Sequence, residues 1–391
     1  MAFDFITEQL KNQRSLFRYR ERVCIKTNNR SSTDNNDTTS EPYIDVAGKQ
    51  YLNFSSNDYL GLNHHPNINQ AMQEGIDKFG LSASSSSLIT GFNYAHQALE
   101  EVICQWLNKP NCLLFSSGFS ANMAAFQALG QDQSTNFFLD KLSHASMLDG
   151  AYASKATVKR FAHNDLTHLS QLMKKNTAQN LLIASEGVFS MDGDQAKLLA
   201  LAQLSKKHNA WLYLDDAHSV GVIGEKGQGS ASKIASNITM ATFGKAIATS
   251  GAFLACDAPL HDYLINFARH YIYSTAISPA LAWATKRSIE LIQQAQWRRD
   301  KISELTHLLT ELLDPKINII ASQSAIQSII VGDEKKTIQI SETLKKQGLW
   351  LTAIRPPTVA VGSSRLRVTV CANHNHKQIN QLASCLNKAL D

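Results

Sequence analysis

Lys245 follows the apolar run Met240-Ala-Thr-Phe-Gly, and Asp215-Asp-Ala-His218 closes another, Trp211-Leu-Tyr-Leu. Upstream, Leu113-Leu-Phe runs into Ser116-Ser-Gly-Phe-Ser120, and a further run ends at Asp140-Lys-Leu-Ser-His144. Each fragment has an ordinary reading. A lysine after a strand is usually a surface charge, an Asp-Asp pair closing a strand is usually a turn or cap, and Ser-Ser-Gly before a helix is commonly an N-cap. A lone histidine is more often a loop or core residue than a ligand. Four such fragments at strand ends read differently, because a parallel sheet would bring them together. Jointly they supply what pyridoxal phosphate requires. Lys245 offers an amine for its aldehyde, the Asp215-Asp216 pair a carboxylate for its pyridine nitrogen and Ser117-Gly-Phe119 a helix N-terminus for its phosphate, and the cofactor also benefits from a flat group stacked on its ring. A metal site accounts for them less well, because the histidines lack helix-face or CxxC-type spacing. A dinucleotide site does so less well still, because no G-x-G-x-x-G follows the first strand.

For these side chains to meet, each must close a strand of one sheet, and the rhythm of the chain predicts that sheet. Short apolar runs predict strands at Cys112–Ser116, Asn136–Leu139, Val158–Phe161, Leu181–Ser185, Trp211–Asp215, Met240–Thr242 and Ala252–Cys256. Helical patterns such as Tyr94–Leu107, Ala121–Leu129 and Leu198–His208 separate most of them. This alternation predicts an α/β fold, a mostly parallel sheet flanked by helices, with ligands at the carboxyl ends of the strands. Ahead of it, residues 4–23 read as a helix with apolar positions Phe5, Ile6, Leu10, Leu16 and Phe17. The polar tract Thr27–Glu41 reads as a loop, and Tyr43–Val46 with Gln50–Phe54 as a hairpin. Toward the C-terminus the pattern becomes helix Trp297–Leu313, strand Ile326–Val331, helix Thr337–Gln347, strands at Trp350–Ile354 and Arg365–Val370, and helix His376–Leu390. The expected division is an N-terminal helix-and-hairpin segment over 1–55, a large α/β domain over 56–290 and a smaller α+β domain over 291–391.

Composition narrows the classes of function. Apolar residues make up 43% and charged residues 18%, as in ordinary globular proteins. The net charge, 38 − 33 = +5, is spread along the chain without a basic arm, so no nucleic-acid partner is expected. No apolar stretch approaches the roughly 20 residues that span a bilayer, and the N-terminus reads as neither secretory signal nor membrane anchor. Six cysteines without CxxC spacing fit reduced thiols in a cytoplasm and no metal site.

Over nearly the whole chain, ordered blocks carry a resemblance. They run from Tyr51-Leu-Asn-Phe-Ser-Ser-Asn-Asp-Tyr-Leu-Gly-Leu, through Leu142-Ser-His-Ala-Ser, His163-Asn-Asp-Leu-Thr-His-Leu, Glu186-Gly-Val-Phe-Ser-Met-Asp-Gly-Asp, Asp215-Asp-Ala-His, Thr242-Phe-Gly-Lys and Ile354-Arg-Pro-Pro-Thr-Val, to Arg365-Leu-Arg-Val-Thr. This set resembles the α-oxoamine synthases, fold-type I pyridoxal-phosphate transferases that join an amino acid to an acyl thioester with loss of carbon dioxide. The resemblance implies that Lys245 is the lysine that holds the cofactor and removes the α-proton. It implies Asp215 at the pyridine nitrogen, His218 near the ring hydroxyl and His144 stacked on the ring and reaching the substrate. Gly118 and Phe119 would lie beneath the phosphate, with Ser190 and Thr242 as further cofactor contacts. Asn57 and Arg367 would take the amino-acid carboxylate, and Arg20 and Thr358 the acyl substrate. The family works as homodimers with a shared active site, and Tyr273-Ser-Thr275 resembles the segment lent to the neighbour's phosphate, with Ser274 and Thr275 as its contacts.

Within the family, Ile354-Arg-Pro-Pro-Thr-Val favours the member of biotin synthesis that joins L-alanine to a pimeloyl thioester, carried by CoA or acyl carrier protein. The alternatives are other α-oxoamine synthases, such as 2-amino-3-ketobutyrate CoA ligase with glycine and acetyl-CoA, or a non-catalytic relative acting as a binding subunit. The chain departs from the family pattern at three places. A serine-rich run, Ser82–Ser87, followed by Leu88, replaces a glycine-rich one. Lys245 is followed by Ala-Ile-Ala-Thr-Ser-Gly251 with alanines for glycines, and Ser219 replaces a glycine after His218. Such changes leave the cofactor machinery intact and stiffen the loops beside it.

Overall fold

Short runs of apolar residues buried on both sides become strands here, because a sheet covered on both faces pairs their backbone groups while burying every side chain. The computed structural model describes residues 2–27 and 41–391, so 28–40 of the expected loop lie outside the described residues. Contacts divide the chain into two units, one of 60–190 with 195–299, the other of 1–59, 191–194 and 300–391.

The first unit holds a seven-stranded sheet in the spatial order Asn111–Phe115, Ala252–Cys256, Ile238–Thr242, Trp211–Asp215, Asn180–Glu186, Thr135–Asp140, Thr157–Phe161. Ala252–Cys256 runs antiparallel to both neighbours, and the other pairings are parallel. All residues of Thr135–Asp140 and Ala252–Cys256 are buried. Alternate side chains feed opposite faces: Phe137 and Leu139 join a core under helix Gly118–Leu129, whereas Phe138 joins one with Leu169 and Leu201. Asp140, Glu186, Asp215 and Thr242 are the last residues of four neighbouring parallel strands. All seven expected strands are present. Helix Gly118–Leu129 begins three residues earlier than the expected Ala121, and helices Pro66–Phe79 and Pro279–Gln294 were not anticipated.

The second unit contains a four-stranded sheet, Lys26–Thr27, Tyr43–Val46, Lys49–Asn53 and Leu349–Trp350, and a three-stranded one, Ile326–Gly332, Ser364–Thr369 and Thr352–Ile354. Helices Glu334–Lys346 and His376–Leu390 bury Leu344, Ile379, Leu382 and Leu386 in its core. The expected N-terminal segment counts with the C-terminal residues, because Lys49–Asn53 pairs in parallel with Leu349–Trp350. The single strand expected at Trp350–Ile354 is two, since Leu349–Trp350 pairs with Leu52 and Asn53 whereas Thr352–Ile354 pairs with Arg365–Arg367. The N-terminal helix spans Phe5–Ser15 and not 4–23, because Phe17 turns into the left-handed region at φ 57.

Candidate active site

Strand ends and the segments that follow them bring the candidate residues together. Asp215 closes its strand, where its Oδ1 accepts the Ala217 N–H at 3.1 Å and its Oδ2 the side-chain amide of Asn122 at 2.9 Å. Asn122 comes from helix Gly118–Leu129. It also donates to Ser146 Oγ at 2.8 Å and accepts from the Tyr213 hydroxyl. Ser146 Oγ lies 2.7 Å from His144 Nδ1, and the Ser146 N–H donates to that same nitrogen. A relay thus runs from buried Tyr213, Asn122, Asp215 and Ser146 out to the exposed ring of His144, and in its low-dielectric inner part each bond fixes the next. Burial, and then the charge of Asp215, pushes the Tyr213 hydroxyl far up, so it stays a donor. Burial holds the His144 imidazole below its usual value, against the pull of Asp215 and with the help of Lys245. Because Nδ1 accepts a backbone N–H, the neutral ring carries its proton on Nε2.

Thr242 ends the next strand, with its hydroxyl donating to Gly251 O at 2.9 Å and accepting the Gly244 N–H at 3.4 Å. The turn it anchors presents Lys245 and closes with the Ala248 N–H on Lys245 O at 2.9 Å. On the other side, Ser117 and Ser120 cap helix Gly118–Leu129 reciprocally. The cap uses the Ser120 N–H, and the Ala121 N–H bonds to Ser117 O. The Gly118 and Phe119 N–H groups are left at the open helix end, where an anion is favoured.

These parts line one cavity of roughly 180 Å³, walled by Gly118, Phe119, His144, Asp215, His218, Thr242 and Lys245 among the expected residues. Asn122, Ser146 and Glu186 join them there, and sequence reasoning had given these no role. The donor set fits pyridoxal phosphate: an amine, a carboxylate with donors on both oxygens, a helix terminus and an imidazole wall share one space. Ser190 is not on the wall, but its backbone N–H reaches Glu186. Ser274 and Thr275 also lie off it, with Thr275 bridged to Ser86 and the neighbouring Tyr273 72% exposed.

The remaining expected residues belong to the other unit. There Arg367 is buried, donating to Asn57 Oδ1 at 3.2 Å, Tyr59 Oη at 3.4 Å and Thr369 Oγ1 at 3.2 Å. Burial pushes the Tyr59 hydroxyl up to about 12, ahead of the opposing Arg367 charge. Arg20 donates to Thr358 Oγ1 at 2.7 Å. The segment bearing Arg20 is clamped by Arg355 on the Phe17 and Tyr19 carbonyls and by Arg18 on Glu334 at 2.9 Å.

The sequence profile of the aminotransferase class I and II family matches residues 49–386. An 8-amino-7-oxononanoate synthase from Photobacterium profundum is 42% identical over 379 residues, 95% of this chain and 93% of that protein. Among solved structures, an 8-amino-7-oxononanoate synthase from Francisella tularensis is similar at TM-score 0.75 and 29% identity, over 87% of this chain and 98% of that one. A serine palmitoyltransferase from S. paucimobilis with a bound PLP–myriocin aldimine shares the fold at TM-score 0.87 and 24% identity, over 99% of this chain and 97% of that one.

Proposed function

As a member of the aminotransferase class I and II family, on the branch of the 8-amino-7-oxononanoate synthases, this chain is a pyridoxal-phosphate-dependent acyltransferase, and we propose that it condenses L-alanine with a pimeloyl thioester. The products are carbon dioxide, the free thiol and 8-amino-7-oxononanoate, for biotin synthesis. The observation that carries this reading is the relay at the strand ends, in which Asn122 and the Ala217 N–H hold Asp215 on the wall that also presents Lys245.

Bound pyridoxal phosphate supplies an aldehyde that captures the amino group and a protonated ring that takes up the electron pair left at the α-carbon. Asp215 keeps the proton on the ring nitrogen, and Asn122 keeps Asp215 from turning away. Lys245 Nζ takes the α-proton of alanine, a step within reach of a flexible amine at a fixed strand end. The Gly118 and Phe119 N–H groups hold the phosphate. His144, fixed through Nδ1, forms one wall and leaves its Nε2–H for the substrate. In the other unit, Arg367 offers a guanidinium already oriented by Asn57, Tyr59 and Thr369, suited to a carboxylate. Arg20 with Thr358 offers a second polar pair for the acyl substrate.

The working form in this reading is a homodimer in the cytoplasm, with Ser274 and Thr275 serving the phosphate of the other copy. Their position off this chain's cavity wall and the exposure of Tyr273 support that assignment. Among the described residues, no helix is long and apolar enough to cross a membrane.

The test is to offer the purified protein pyridoxal phosphate, a panel of amino acids, and pimeloyl-CoA or pimeloyl-acyl carrier protein, with product mass as the readout. Borohydride should fix the cofactor on the peptide containing Lys245. Faster turnover of glycine with acetyl-CoA would overturn the substrate assignment, and label on another lysine would overturn the site.

A further inference from the structure

Among the described residues, Glu186 is the one carboxyl on the cavity wall to which the proposed chemistry gives no task. It closes its strand in direct register with Asp215 on the adjacent parallel strand, so two acids sit side by side at the same level of the sheet. It is 2% exposed, and its Oε1 has no hydrogen-bond partner among the described residues. Both acids line the cavity, where Lys245, His144 and His218 face them.

Two carboxyl groups at this spacing in a buried site cannot both carry charge cheaply, and the distribution of donors decides which keeps it. Asp215 has a donor on each oxygen. Glu186 has the His144 and Ser190 N–H groups against its carboxyl and nothing on Oε1. Burial, and then the charge of Asp215, pushes the Glu186 carboxyl well above the usual carboxylate range, against the pull of Lys245 and those two N–H groups. An unpartnered oxygen in a buried, neutral carboxyl is a hydroxyl in search of an acceptor.

We infer that Glu186 is a catalytic residue that stays neutral and offers its Oε1 hydroxyl into the cavity as a hydrogen-bond donor to an anionic oxygen of the substrate, while Asp215 beside it remains the charged partner. This rests on the reaction proposed above for the identity of the acceptor, which is the alanine carboxylate or the oxyanion that develops on the acyl carbonyl. No bond is made or broken by Glu186 itself. A charged glutamate in this place would repel either acceptor, whereas a neutral one draws it in.

The experiment compares the wild-type holoenzyme with Glu186→Gln and Glu186→Leu. Infrared difference spectra at neutral pH, wild type minus Glu186→Gln, should show a protonated-carboxyl C=O stretch that shifts in heavy water. An amide can replace a neutral donor, so Glu186→Gln should keep turnover within roughly tenfold of wild type. Glu186→Leu should fall on the order of a hundredfold, the scale of losing one preorganised donor. Circular dichroism and retained cofactor absorbance show whether each variant is folded, and the near-isosteric Gln variant carries the test if the Leu variant is not. Absence of the carboxyl band overturns the inference, as does a Gln variant as inactive as the Leu variant, because then charge or proton transfer is what matters. Failure of the wild type to make the expected product would undo the proposed reaction while leaving the infrared result to stand or fall alone.

Discussion

Asp216 shows what the chain tolerates one residue from the acid proposed to face the ring nitrogen. It is fully buried, its Oδ2 accepts the Ala231 N–H at 3.1 Å, and Ser219 and Ser230 face it. The space is closed by Gly187, where a Cβ would lie 2.1 Å from Asp216 Oδ1. Burial, ahead of the hydrogen bonds that oppose it, pushes this carboxyl from 3.8 up to about 6. With the folded value above the unfolded one, its contribution is complete below about 3.8 and is lost as pH rises through about 6. Asp216→Asn, neutral at every pH, should therefore match wild type near pH 3.5–4 and exceed it by up to about 3 kcal/mol at pH 7, at about 1.4 kcal/mol per unit. Urea unfolding of both proteins at the two pH values measures this, and an equal difference at both would refute it. A second residue-scale prediction concerns Ala248, which holds φ 59 in the turn after Lys245, where the family it resembles carries glycines. A Cβ in the left-handed region costs about 1–2 kcal/mol, part of which is offset because alanine also stiffens the unfolded chain. Ala248→Gly should gain about 0.5–1 kcal/mol, seen as a higher denaturant midpoint at unchanged slope.

At the scale of elements, the site is a set of strand ends and one helix start. Ser117 accepts from the Ser120 N–H at 3.1 Å, and Ser120 returns a bond to the Ser117 N–H. Ser117→Ala should cost about 1 kcal/mol of stability. It should also raise the dissociation constant for pyridoxal phosphate, because the Gly118 and Phe119 N–H groups lose their fixed aim. Stability that falls with cofactor affinity unchanged would mean that this helix end does not hold the phosphate. The convergence of Lys245, Asp215 and His144 on one cavity was legible from sequence because each closes or follows an apolar run, and parallel sheets gather such ends. The seven strands were legible for a related reason, since burial on both faces leaves continuous apolar runs such as Phe253-Leu-Ala. The relay was not legible. Asn122 and Ser146 are polar residues inside helices, and only the packing of those helices aims Asn122 at Asp215 and Ser146 at Asn122 and His144. Glu186 lay one residue past the expected strand Leu181–Ser185 and closes the observed one, and its significance depends on register with Asp215, which the residues of its own strand do not encode. The N-terminal helix was overextended because Leu16 and Phe17 continue its apolar spacing, yet both are exposed and no core holds them in helical register.

At the scale of the molecule, the described residues of one copy leave apolar side chains exposed. Helix Phe5–Ser15 buries none of its eleven residues, with Phe5 53% and Phe3 70% exposed. An isolated helix shorter than about 12–15 residues is marginal in water, so this one calls for a covering surface. Ile89 is 75% exposed beside Leu88, and Tyr273 precedes the Ser274-Thr275 pair. A second copy bound through an isologous interface would cover such patches in both subunits at once. If each copy lends Ser274 and Thr275 to the other's cavity, two kinds of defective subunit can repair one another. Lys245→Ala removes the amine from its own cavity but still lends an intact segment. The double variant Ser274→Ala with Thr275→Ala keeps Lys245 but lends a segment unable to hold the phosphate. In a hybrid dimer, one cavity then receives both defects and the other receives neither. With random pairing, half of the dimers are hybrids with one sound cavity of two, so co-expression should restore about a quarter of wild-type turnover. Each variant alone should stay near background. A co-expressed mixture no more active than its two parents would show that every copy completes its own cavity, and the exposed apolar surface would then need a different partner.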